Sequence, residues 1–214
     1  MKKLFIVAVI LCLAVPSLVF GQEAEKKPSP LQVYLSEKTP ENFVEAYNTY
    51  NAQIADSMDY SSVMSIAWLN LFELDRNEEA IAVYEKLNEA TPKWSCPWRH
   101  KGQAYYQMKN YPEAEKALLK AIETRKEHYD AYIWLAEVYR DWGQYDKGIA
   151  TLAEGLSYYG KDIEDPEKEY SSVDVAFLHL DLLKKAGKSG TEAYQHVLEH
   201  AKILAPEDER LKQY

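Results

Sequence analysis

Between Ser61 and Gly160 apolar residues recur every three or four positions, in stretches of about a dozen residues separated by short polar turns. That spacing predicts amphipathic helices joined as hairpins. The whole pattern also recurs: three blocks starting at Ser61, Ser95 and Tyr129 align without gaps at a period of 34 residues. Ala80, Ala114 and Gly148 share one column of this alignment, as do Leu71, Tyr105 and Tyr139, and Tyr84, Leu118 and Leu152. Small residues repeat at Trp68, Gly102 and Ala136, and again at Leu87, Ala121 and Gly155, with one large exception opening each column. Small side chains let two helices approach within the ~8–10 Å of ordinary helix packing, and large ones fill the space between hairpins. A glycine inside a helix costs ~1 kcal/mol against alanine, a cost that close approach explains at Gly148 and Gly155.

The flanks read as weaker versions of the same design. Residues 40–60 predict a capping helix, opened by Thr39-Pro40, with Phe43, Tyr47, Tyr50, Ile54 and Met58 on one side. Residues 161–172 form a polar, acidic stretch. A degenerate hairpin is expected in 173–214, turning at Gly187-Lys188-Ser189-Gly190, although its small residue, Ala193, misses the column by one and leaves Tyr194 there. Residues 22–39, charged and proline-containing, read as a flexible leader.

Trp98, Gly102, Tyr105, Tyr111, Ala114, Leu118 and Ala121 resemble a tetratricopeptide repeat, and so do Tyr132, Leu135, Tyr139, Gly143, Tyr145, Leu152 and Leu156. In the first block Asp75-Arg76-Asn77 replaces the usual glycine and aromatic turn, while Ala80, Tyr84 and Pro92 hold. The repeats are 61–94, 95–128 and 129–160. The resemblance implies an all-α, right-handed superhelical solenoid whose concave groove is lined by the first helix of each hairpin. Carried over column by column, the groove residues are Ser65, Leu69 and Phe72, then Arg99, Gln103 and Tyr106, then Ile133, Glu137 and Arg140. Such a lining suits an extended peptide or helix with an apolar anchor and one or two acidic groups. The family's lysine/asparagine clamp for a terminal carboxylate is absent, its places including Ser65, Leu69 and Asp130.

Composition narrows the setting. Lys2 and Lys3 precede an apolar run from Leu4 to Phe20, and small Gly21 before polar Gln22 completes the layout of a secretory signal peptide over 1–21. The run barely reaches the ~20 residues that span a bilayer, so a retained anchor is the weaker reading. Cys12 follows Leu11, where lipidation needs a small residue. Loss of the two signal-peptide lysines takes the formal charge from -9 to -11, which repels nucleic acid and anionic lipid. Beyond the signal only Cys96 remains, so no internal disulfide is available. A periplasmic or secreted monomer, without cofactor and without a membrane segment after signal cleavage, is the expectation.

Two patterns carry chemistry that competes with this. His196-Val197-Leu198-Glu199-His200 has the histidine spacing of an inverted zinc peptidase, with Glu199 as base. The histidines sit at the edge of the stripe formed by Val197, Leu198, Ala201 and Leu204, and a third ligand is missing, so neither is assigned as a metal ligand. Trp94, Trp98, Trp134 and Trp142 would stack on sugar rings in a glycan-binding protein. Cys96, between two tryptophans and near His100, lacks the orienting group a nucleophile needs and reads as a buried thiol or a partner for a mixed disulfide. The expectation is a non-catalytic adaptor holding a protein partner through Arg99, Tyr106 and Arg140, with a glycan binder and a zinc hydrolase as alternatives.

Overall fold

The computed structural model describes residues 27–56, 60–159 and 170–214. The expected signal peptide, the start of the leader, Met58 and 161–169 of the acidic stretch lie outside the described residues. Every regular element among the described residues is helical, ten α-helices and one 3-10 turn, packed as sequential hairpins. The chain divides into two compact units, residues 1–91 and 92–214.

The first unit holds α1 (Pro30–Ser36), α2 (Pro40–Asp56), α3 (Tyr60–Phe72) and α4 (Asn77–Ala90). Each packs on the next. Helix α1 falls within the stretch read as flexible leader. Its cause is local: Pro30 opens it, and Ser29 and Gln32 form a reciprocal capping box, Gln32 N to Ser29 Oγ at 3.2 Å and Ser29 N to Gln32 Oε1 at 2.8 Å. Leu31 and Tyr34 are buried with Ala46, Tyr50, Ile66 and Leu69. The Tyr34 hydroxyl donates to Glu73 at 2.7 Å, and Lys38 pairs with the same carboxylate at 2.9 Å. Helix α3 is buried from Ser62 through Leu71, so it shows no polar face of its own.

The second unit holds three hairpins: α5 (Ser95–Gln107) with α6 (Tyr111–Thr124), α7 (Tyr129–Asp141) with α8 (Tyr145–Tyr159), and α9 (Val173–Lys185) with α10 (Glu192–Leu204). A 3-10 turn, Glu209–Gln213, follows. Consecutive helices pack together, and so do the first helices α5, α7 and α9. The small columns work by contact. A Cβ on Gly102 would stand 2.5 Å from Leu118 Cγ, one on Gly148 2.6 Å from Leu182 Cδ2, and one on Gly155 2.6 Å from Tyr132 Cβ. Ala114, Ala121, Leu118 and Leu152 are fully buried. In α10, Tyr194 takes the place of the small residue and is buried, its hydroxyl donating to the backbone oxygen of Tyr214 at 3.3 Å.

The interhelix turns share one backbone solution. Asp75, Lys109, Gly143 and Gly187 each end a first helix with φ of 54°, 58°, 77° and 73°, the left-handed conformation that closes a helix. Glycine adopts it freely; aspartate and lysine do so at a cost. Lys109→Gly should therefore stabilise the chain by up to ~1 kcal/mol in urea unfolding. Gly155→Ala should cost ~1–3 kcal/mol, because the added methyl meets Tyr132 close to the backbone. Gly148→Ala meets the far end of the Leu182 side chain, with Tyr139 Cβ at an ordinary 3.4 Å, and should fall well below that cost.

Candidate functional site

The groove residues carried over from the repeat resemblance divide into two groups. Ser65 is buried and its hydroxyl donates to Ser61 O at 3.0 Å; Leu69 is fully buried in the core of the first unit; Phe72 lies half-buried, its ring 5.0 Å from Trp68. Arg99, Gln103 and Ile133 are buried too, Arg99 only 2% and Gln103 only 1% exposed. These five side chains are buried, where the expectation placed them on the groove surface. Arg99 Nη2 lies 3.0 Å from His100 Nε2. The Gln103 amide fits its surroundings with its NH2 donating to His100 Nδ1 and its oxygen accepting from Arg99 Nη1 at 3.0 Å and from the Trp134 indole. Burial, with Arg99 beside it, holds the His100 pKa well below the ordinary histidine range.

Tyr106, Glu137 and Arg140 remain at the surface of the second unit, and the structure joins them to residues the sequence reading left out. The Tyr106 hydroxyl donates to Asp141 Oδ2 at 2.6 Å. Arg140 lies between carboxylates: Nη2 is 2.5 Å from Glu137, and Nε is 2.8 Å from Asp141 and 3.8 Å from Asp181. Lys185 pairs with Asp181 from the next turn of α9 at 3.2 Å. Three carboxylates thus face two cations. Arg140, expected to receive an acidic group, is already held by acids of its own chain. Burial pushes the Glu137 carboxyl up to about 7, Asp141 and Asp181 adding to the push while Arg140 opposes it. Asp141 is also partly buried, yet hydrogen bonds from Arg140 and Tyr106 bring its pKa below the usual range.

Asp141 was visible beside Arg140, but no column of the repeat marks it. Asp181 stands ninth in α9, as Glu137 does in α7 and Gln103 in α5. The resemblance was carried only through the three gapless blocks, and the acidic stretch hid this correspondence.

The competing constellations are differently disposed. The Trp98 indole donates to Pro92 O at 3.3 Å, Trp134 meets Tyr106 edge-on at 5.9 Å, and Trp142 stacks on Tyr111 at 6.1 Å. Trp94 is half-buried at the start of α5. The Trp98, Trp134 and Trp142 rings thus face neighbours within their own unit. The His196 and His200 rings lie 4.4 Å apart, but His200 is buried and its Nδ1 donates to His196 O at 3.0 Å. Glu199 points outward, 3.8 Å from Lys202. Among the described residues no group of three histidine, cysteine, aspartate or glutamate side chains is placed to hold a metal ion. Cys96 is a buried thiol in α5. No helix among the described residues is long and apolar enough to cross a membrane.

Comparison with known proteins agrees with the architecture. Residues 105–165 match the tetratricopeptide repeat family model. A thermophilic tetratricopeptide-repeat protein of Thermus thermophilus superposes with a TM-score of 0.62 at 16% identity, covering 86% of this chain and 94% of that one. MamA (41 to end) of Desulfovibrio magneticus RS-1 superposes with a TM-score of 0.62 at 17% identity, covering 86% and 99%. At such identities the likeness is one of fold. No curated protein matches the sequence. Residues 105–165 are thus similar to a tetratricopeptide repeat, and the described chain shares the fold of proteins built from such repeats.

Two outcomes follow. Arg99→Ala should destabilise the chain by ~3–5 kcal/mol in urea unfolding, since it leaves buried polar groups uncompensated, whereas Tyr106→Ala should cost far less. Glu137 binds its proton more tightly folded, at about 7, than at the ordinary value of 4.5. Its stabilising contribution is complete below the ordinary value and is lost as pH rises through about 7. Glu137→Gln should remove that decline, measured as unfolding free energy against pH.

Proposed function

We propose that the chain is a non-catalytic adaptor, exported to the periplasm or beyond, that holds a segment of a partner protein against the first-helix face of residues 92–214. The observation that carries the reading is the set of partly exposed polar side chains on that face: Tyr106, Glu137, Arg140, Asp141 and Asp181. Their helices are fixed by a close-packed core, so the groups are preorganised rather than assembled on binding. With three acids around Arg140 and Lys185, the face favours a segment bearing a basic group and hydrogen-bond donors, where the sequence alone suggested an acidic one. Trp134 and Tyr106 offer an apolar anchor beside it.

Affinity capture from native extract tests this, with the mature chain as one bait and Tyr106→Ala/Asp181→Ala as the other. A partner retained by the first should fall at least tenfold with the second, at unchanged helical circular dichroism. Equal capture by both baits would remove the face from consideration. For export, the full chain expressed in a bacterial host should yield a product beginning at Gln22. A product retaining Met1 in the cytoplasm would overturn that part of the reading.

A further inference from the structure

The first helices of the second unit are in register. Arg99, Gln103 and Tyr106 occupy the fifth, ninth and twelfth positions of α5; Ile133, Glu137 and Arg140 occupy them in α7; Phe177, Asp181 and Lys184 occupy them in α9. On α9, Phe177 and Lys184 of this row are already engaged by the segment 208–214 of the same chain. The Arg210 guanidinium lies 4.1 Å over the Phe177 ring, with Nη1 2.6 Å from Asp174 and Nη2 2.6 Å from Asp208. Four residues on, the Tyr214 ring stacks on Phe177 at 5.7 Å. Lys184 stands 5.1 Å over the Tyr214 ring and donates to Gln213 O at 2.7 Å.

These contacts are those of a bound peptide. A cation and an aromatic, four residues apart, share one aromatic platform, and a lysine holds the backbone between them. Leu211 and Tyr214 pack partly buried against the core and the Tyr194 hydroxyl donates to Tyr214 O at 3.3 Å, while the other contacts of the segment lie at the surface. None of the residues of the 3-10 turn is buried, and the polar contacts of Arg210 and Lys184 lie near solvent, where screening weakens them. Phe177 beneath is buried. Lifting 208–214 away would expose an aromatic ring flanked by Asp174 and Asp181, a surface fitted to a guanidinium.

We infer that residues 208–214 act as an internal competitor, occupying the α9 part of the partner-binding face and yielding it to a partner segment with an arginine and an aromatic four residues apart. This rests on the proposed adaptor role, and it adds both the partner's chemistry and a means of regulation. A tethered segment competes at a millimolar effective concentration, so a free peptide of the same sequence meets an occupied site.

The test uses the full chain and a fluorescein-labelled peptide of residues Pro206 to Tyr214, read by anisotropy. Arg210→Ala/Tyr214→Ala should vacate the site, and the variant should bind the peptide at least tenfold more tightly than the unaltered chain. Adding Asp174→Ala and Phe177→Ala should abolish that gain. Equal binding by the vacated and unaltered chains would overturn the inference. So would loss of helical circular dichroism in the Arg210→Ala/Tyr214→Ala chain, because the segment would then be a structural cap that cannot be released. No partner protein enters this assay, so its failure leaves the adaptor reading standing, and loss of partner capture leaves the peptide result unaffected.

Discussion

A helical hairpin of some thirty residues has an apolar side that it cannot cover by itself, and every feature of the second unit depends on how the next hairpin covers it. The approach is close because side chains are missing where helices touch. Tyr132 lies against Gly155, Leu118 against Gly102, and Leu182 against Gly148. The tyrosines and leucines that fill these gaps set the separation of neighbouring first helices. That separation in turn lets Tyr106 of α5 reach Asp141 of α7, and Arg140 of α7 approach Asp181 of α9. The polar cluster is thus a product of the same packing that closes the core.

The cluster has an electrostatic cost that the fold does not remove. Glu137 is only 13% exposed at its side chain and shares Arg140 with two further carboxylates. A carboxyl in that position is harder to ionise, which explains its elevated pKa. Stability alone would favour fewer acids there. Their presence on a partly open surface, beside Trp134 and Tyr106, fits a face that completes its charge balance with a partner.

Much of the architecture was legible in the sequence because it is periodic. The 34-residue columns identify the hairpins, and even the turn residues Asp75, Lys109 and Gly143 share a conformation as well as a column. Where the period weakens, legibility fails for identifiable reasons. Helix α1 is too short for a periodic signal, yet Ser29, Pro30 and Gln32 spelled its start. The groove assignment rests on repeat columns alone, and the columns of Arg99, Gln103 and Leu69 also meet neighbouring side chains. Arg99 and Gln103 are consequently buried with His100, and Leu69 with the core of its own unit. Long polar side chains at these places looked like ligands for a partner and are ligands for the chain itself. Arg210 and Tyr214 gave no such signal, since a charged terminal stretch reads as solvated unless its contact with Phe177 is seen.

The central claim is that partners meet the first-helix face of residues 92–214, and site-specific photocrosslinking addresses it most directly. A benzoylphenylalanine would replace Tyr106 on that face in one chain, and Leu119, an exposed residue of α6, in another. After irradiation in native extract, the account predicts a discrete adduct from position 106 and none from position 119. An adduct from position 119 alone would contradict it and move the interaction to the second helices.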